Sequence, residues 1–266
     1  MLNKGDIEIN RHRIIIIEFL SSEDIVKTGK ALYDNILCYK KSESVLITGE
    51  YYPVSSKEEF INQLLCIYFS YREGEFITID IESHGDEEGI GINGIEFLSW
   101  KYLYDYLRMI NVKCGGLLVV TFSCCYGLAQ VAALNPRERS PFFAFIASSR
   151  KMKPYELYNG FSKFFEVYNH PLELGKAIDS LNLYFTEKGI DSPFLSATSV
   201  ALYDEFFSEE RIEYIASLHA SALAKMEGID DECAKYQIIE DMKEDWKKFR
   251  PYFNFFDVMG IEECPV

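Results

Sequence analysis

Phe76-Ile77-Thr78-Ile79-Asp80-Ile81-Glu82-Ser83-His84-Gly85 is the stretch on which the fold turns. Residues 76–81 form a compact run rich in β-branched and aromatic side chains, which predicts a buried strand running up to His84. A second stretch repeats the pattern: Leu117-Leu118-Val119-Val120-Thr121-Phe122-Ser123-Cys124-Cys125-Tyr126-Gly127. Its strand, over residues 117–122, ends at a double cysteine. A histidine and a cysteine at the ends of neighbouring parallel strands can meet in one crevice. A thiol nucleophile and its proton-handling partner require that geometry.

Working outward, residues 13–20 give a β-branched run that predicts a strand buried on both faces. Helical spacing follows over 22–38 (Ile25, Leu32, Ile36), then a short strand over 44–48. Ser56 and Glu59 form a capping-box pattern ahead of a helix carrying Phe60, Leu64, Ile67 and Tyr68. Gly89-Ile90-Gly91-Ile92-Asn93-Gly94 predicts a small hairpin. Trp100, Leu103, Leu107 and Ile110 give a helix stripe. A helix around 127–134 is broken by Asn135-Pro136. Further elements are a strand over 142–147, helices near 154–168 and 171–183, and a last strand over 194–202. Two helices follow, from 209 to about 227 and from 230 to 249, the second stopped by Pro251. Strands alternating with helices predict an α/β fold with a mainly parallel sheet covered on both faces. Ligands then bind beyond the carboxyl ends of the strands.

The bulk properties agree with a globular chain. It has 266 residues, 48% of them hydrophobic, with 18 Tyr and 20 Phe, so disorder is disfavoured. A net charge of -15 argues against a nucleic-acid backbone or an anionic membrane as main partner. Seven cysteines form no disulfide framework and no CxxC pair, which points to a reducing compartment and away from structural zinc. The polar N-terminus and the absence of a long apolar run predict a cytoplasmic location. Asp86-Glu87-Glu88 reads as a solvated turn, since its spacing does not supply a calcium loop. No GxGxxG, GxxxxGK[ST] or GxSxG motif occurs, which disfavours nucleotide binding and serine hydrolase chemistry. No metal or cofactor is expected.

Within the crevice, His84 is the candidate base. His12, His170 and His219 read as structural or surface residues. The helix beginning near Gly127 is expected to turn its positive end toward the cysteines. The backbone N–H groups of Gly85 and Cys125 are the candidate oxyanion donors. Only one of the two cysteines can face His84, because successive side chains on a strand point opposite ways.

Ser83-His84-Gly85-Asp86-Glu87-Glu88-Gly89, followed by a glycine hairpin, a helix and an apolar strand ending in cysteine, resembles the caspase-like peptidases. That group includes caspases, metacaspases, separase and bacterial CHAT-type proteases. The resemblance covers about residues 10–205. It implies a caspase–haemoglobinase-like sheet over 1–205 with a helical extension over 206–266 packed on it. It also implies a Cys-His dyad of His84 and Cys125, with Cys124 as the other candidate nucleophile and Gly85 as the oxyanion glycine. In relatives, the residue two before the cysteine lines the pocket for the substrate side chain; here that is Ser123, with Glu18, Glu82 or Asp80 as sources of charge. The basic run Arg150, Lys151 and Lys153 reads as solvated surface. The implied function is cleavage of a protein partner, under control of a regulatory protein or activator, in settings such as antiviral defence or cell death. The segment 135–141 is short, so activation is not expected to depend on cutting there. Two other readings compete with this one: a catalytically silent scaffold that binds a partner, and an α/β module for a small ligand.

Overall fold

The computed structural model describes residues 9–92, 96–135, 138–198, 201 and 207–249. Its central sheet runs in the order β2-β1-β3-β6-β7-β8. The strands are β1 (Arg11–Phe19), β2 (Leu46–Val54), β3 (Glu75–Gly85), β6 (Val119–Ser123), β7 (Ala144–Ser148) and β8 (Phe194–Thr198). All neighbours pair in parallel except β8, which runs antiparallel to β7. The strands β4 (Gly89–Ile92) and β5 (Glu96–Ser99) form an antiparallel hairpin on the far end of β3, where His84 pairs with Gly91. Asn93 and Gly94 of the expected hairpin turn lie outside the described residues.

Period-two alternation splits the core into two faces. Ile15, Ile17, Ile79, Ile81, Val120 and Phe122 point to one face. Phe60, Leu64 and Ile67 of α2 (Lys57–Ser70) and Trp100, Leu103, Leu107 and Ile110 of α3 (Trp100–Lys113) cover it. Ile14, Ile16, Val119 and Ile146 point the other way. Leu32 of α1 (Thr28–Asn35), Phe161, Phe164 and Phe165 of α4 (Pro154–Val167), and Leu181 and Phe185 of α5 (Leu174–Thr186) cover that side. The expected α/β sheet with helices on both faces is therefore present. Helices α6 (Glu209–Glu227) and α7 (Asp231–Phe249) pack on each other through Ala220, Ala224 and Ala234. Pro251 lies outside the described residues.

Several local expectations need correction. The helix expected over 22–38 is shorter: Ile25 is 97% exposed and sits in the loop between β1 and α1. The strand expected over 44–48 runs on to Val54, and as an edge strand it tolerates Pro53. Ser56 does cap α2 by accepting from Glu59 N, but the Glu59 carboxylate reaches Ser55 N and Oγ, one residue earlier than the pattern predicts. The last strand ends at Thr198; most of its expected continuation lies outside the described residues.

Candidate active site

Strands β3 and β6 pair Glu82 with Ser123 and Asp80 with Thr121. Side chains level with each other on parallel strands share a face, so Asp80, Glu82, Thr121 and Ser123 all point to the α1–α4–α5 side. Alternation places His84 on that side too. The double cysteine continues the count. Cys124 joins the α2–α3 core and is fully buried, whereas Cys125 is half-buried and packs against the opposite core. His84, at the carboxyl end of β3, and Cys125, just past the end of β6, thus lie on one face, and Cys124 is turned away. Burial, reinforced by the neighbouring Cys125 and Glu82, pushes the Cys124 thiol well above its usual range. A protonated, buried thiol of this kind is inert.

Gly85 explains how close the two strand ends come. A Cβ built there would lie 2.5 Å from the Cys125 carbonyl oxygen and 3.0 Å from Cys124 Sγ. Any side chain would force the end of β3 away from the cysteine turn. Beyond the cysteines, Tyr126 adopts φ 52°, the one positive φ outside glycine among the described residues. Strain of this kind collects at functional turns. Tyr126 N donates to Arg150 O (3.1 Å), and Ser148 Oγ donates to Cys124 O (2.7 Å), so the β7–α4 loop braces the turn. Cys125 Sγ sits within the same loop: it accepts from Met152 N at 3.3 Å and donates to Met152 O at 3.6 Å.

The helix expected at Gly127 is a 3-10 run, Gly127–Ala133, in which Ala129 N donates back to Tyr126 O (2.9 Å). Gly127 is wedged against Phe122, Ala147 and Cys124 Sγ, and the Tyr104 hydroxyl holds Gln130 through its main-chain and side-chain oxygens. Seven residues of 3-10 geometry supply no α-helical N-terminus, so that source of thiolate stabilisation is withdrawn.

His84 is half exposed, and its Nε2 lies 3.0 Å from Asp24 Oδ1. A carboxylate can only accept, so Nε2 carries the hydrogen and Nδ1 is left as the basic nitrogen of the neutral ring. Asp24 lies in the β1–α1 loop, where no periodicity marks it, and it was not predictable from the sequence.

Both expected pocket residues prove to be interior. Ser123 is 1% exposed and donates to Asp80 Oδ1 (2.7 Å), alongside Thr121 Oγ1 (2.5 Å). Glu18 is 2% exposed; it accepts from Gly29 N (3.0 Å) and Lys30 N (3.2 Å) at the start of α1 and from the Tyr51 hydroxyl (2.5 Å). Glu18 is thus a buried cap for α1. Glu82 accepts from Thr28 Oγ1. Burial pushes the Asp80 carboxyl up to about 7, and burial together with Asp80 drives Glu82 well above its usual range. Beneath His84 the interior therefore holds carboxyls that favour the neutral acid.

The remaining residues named from sequence have structural tasks. His12 is fully buried inside β1, bonded to Thr78 Oγ1 (2.9 Å), and burial pulls it down to about 3. His170 caps the short 3-10 turn Pro171–Glu173, and His219 lies exposed on α6. Arg150 pairs with Glu156 at 2.9 Å on the surface. Asp86 Oδ1 accepts from Glu88 N and Gly89 N and so shapes the turn before the hairpin. Among the described residues, no helix is long and apolar enough to cross a membrane.

No family model matches the chain, and no curated protein sequence matches it. Among solved structures it is similar to the Drosophila initiator caspase Dronc, with 12% identity over 72% of this chain and 80% of that one and a TM-score of 0.46. It is also similar to caspase-1 from Spodoptera frugiperda, with 12% identity over 73% and 89% of the two chains and a TM-score of 0.45. Likeness at this level assigns no activity to the chain.

Proposed function

We propose that the chain is a caspase-like cysteine endopeptidase with Cys125 as nucleophile and His84 as its acid–base partner. The observation that carries this reading is that His84, at the carboxyl end of β3, and Cys125, just past the end of β6, lie on one face, while Cys124 is buried on the other face. In this mechanism His84 Nδ1 takes the Cys125 thiol proton as Sγ bonds to the substrate carbonyl carbon. The Gly85 and Cys125 amides act as donors to the oxyanion. His84 then returns its proton to the leaving amine as the C–N bond breaks. Water, deprotonated by the same imidazole, releases the acyl group and restores the thiol. Ser123 and Glu18 act as the buried backing of the substrate cleft. By resemblance, the substrate is a protein partner in the cytoplasm, the setting is defence or regulated cell death, and a partner or activator controls the enzyme.

The test is iodoacetamide labelling at neutral pH, mapped by peptide, on wild type and the Cys125→Ala, Cys124→Ala and His84→Ala variants. The expected result is rapid labelling at Cys125, lost in Cys125→Ala and slowed in His84→Ala. Slow labelling that ignores His84 would overturn the dyad and favour a silent scaffold.

A further inference from the structure

The loop from Leu20 to Lys27 is closed on itself. Lys27 Nζ donates to Leu20 O (3.3 Å) and Ser21 O (2.6 Å). Asp24 N donates to Ser21 O (3.0 Å), and Glu23 N donates to Ser21 Oγ (3.2 Å). Both flanks of the loop are anchored in the sheet. Before it, Glu18 belongs to β1 and holds the first amides of α1; after it, Thr28 is bonded to Glu82 of β3. This double anchorage presents Asp24 at a fixed point over the end of β3. Its side chain is 18% exposed, and among the described residues its one hydrogen-bonding partner is His84 Nε2. The second carboxylate oxygen, Oδ2, is buried with no partner. Desolvating that oxygen brings no hydrogen bond in return, so the loop is not built to satisfy Asp24 for its own sake.

We infer that Asp24 is the positioning residue of the site, holding His84 in the Nε2-protonated tautomer so that Nδ1 is free to handle the Cys125 proton. The inference deepens the peptidase reading and rests on it for the role of Cys125, but the tautomer can be measured without any activity. Asp24 touches neither thiol nor substrate; it acts through the imidazole. A base that is itself oriented by a third group is the general logic of activated nucleophiles. Here that third group comes from a loop closed by Lys27, 60 residues before the histidine in the chain.

Nitrogen NMR of histidine-labelled protein decides the tautomer directly. Wild type is expected to show His84 as the Nε2–H form. Asp24→Ala should mix the two tautomers, and Asp24→Glu should restore part of the preference. In parallel, Asp24→Ala should slow iodoacetamide labelling of Cys125 about tenfold, less than the roughly 10²–10⁴-fold that the positioned base itself contributes. The Asp24→Ala, His84→Ala double variant should be no slower than His84→Ala alone, because Asp24 acts only through His84. A purely structural role would instead make the two effects multiply. An unchanged tautomer in a folded Asp24→Ala protein would overturn the inference. If the tautomer responds as expected while labelling ignores His84, the positioning contact stands and the peptidase reading falls.

Discussion

Asp80→Asn gives a stability test that needs no substrate. Asp80 is wholly buried, and its carboxyl is pushed from 3.8 up to about 7 by that burial. The folded protein therefore holds a proton that the unfolded chain releases near pH 4. Because the folded value is raised, stability is fully present below the unfolded value and is lost as pH rises through the folded one. A displacement of about three pH units, at about 1.4 kcal/mol each, corresponds to about 4 kcal/mol. Asparagine keeps the acceptor that Thr121 and Ser123 use but does not titrate. Its amide replaces Oδ2, which has no partner, and that adds an offset of about 1–3 kcal/mol that does not vary with pH. Relieving Asp80 also relieves Glu82, whose carboxyl Asp80 helps to raise, so both contributions carry the same sign. His12 loses stability toward acid pH in both proteins and cancels in the comparison. The Tm of Asp80→Asn minus that of wild type should therefore climb between pH 4 and about pH 7. At roughly 2–4 °C per kcal/mol for a chain of this size, the climb is about 8–16 °C. Thermal melts followed by near-UV circular dichroism at half-unit pH steps measure it. A Tm difference that stays flat across the range would refute the reasoning and show Asp80 ionised in the folded protein.

Three further substitutions probe the scaffold around the site. Gly85→Ala puts a methyl against the Cys125 carbonyl, so urea unfolding should show a loss of about 1–3 kcal/mol, with slower Cys125 labelling. Arg13→Met removes the guanidinium that bridges Glu50 (2.8 Å) and Glu75 (3.4 Å) at the far end of the sheet. Glu75 keeps Arg11 at 3.1 Å, so the unfolding free energy should fall by about 1–3 kcal/mol in the same measurement, less than for a buried carboxylate left with no cation. Cys124→Ala opens a void of about one methyl in a closed core, with a loss of about 1 kcal/mol; peptide mapping should still find the label on Cys125.

The sheet was legible because it is written in long β-branched runs. Ile14–Ile17 alternate between the two cores without a polar interruption, as a strand covered on both sides must. The candidate edge followed from the same reading, since His84 and the double cysteine stand at or just past the carboxyl ends of β3 and β6. The contacts that organise that edge were not legible. Asp24 finds His84 through loop closure across 60 residues, and the partners of Cys125 Sγ are main-chain atoms of Met152, to which side-chain identity is silent. Glu18 is expected in the pocket as a source of charge near the end of β1, and Ser123 by resemblance, as the residue two before the cysteine; neither expectation reveals which groups each side chain meets. Here they pair with the start of α1 and with Asp80, and those donors and acceptors become neighbours only after folding. Ile25 misled for the opposite reason: an apolar residue in helical register is exposed when the helix begins three residues later.

The double cysteine shows how one alternation divides two jobs. Gly85 and Gly127 each approach Cys124 so closely that added Cβ atoms would stand 3.0 and 3.3 Å from its sulfur. Cys124 is thus a peg clamped between the end of β3 and the turn that follows the cysteines. Its burial fixes the backbone from which Cys125 projects to the opposite face, and the positive φ at Tyr126 turns the chain away immediately afterwards. A one-residue slip of β6 would exchange the two sulfurs, burying the proposed nucleophile and turning Cys124 to its face. Serine at position 124 would therefore disturb the site through packing, by placing a hydroxyl in an apolar slot, and serine at 125 would disturb it through chemistry. Labelling rate and unfolding free energy separate the two: Cys124→Ser should lower both together, while Cys125→Ser should abolish labelling and leave the melt nearly unchanged.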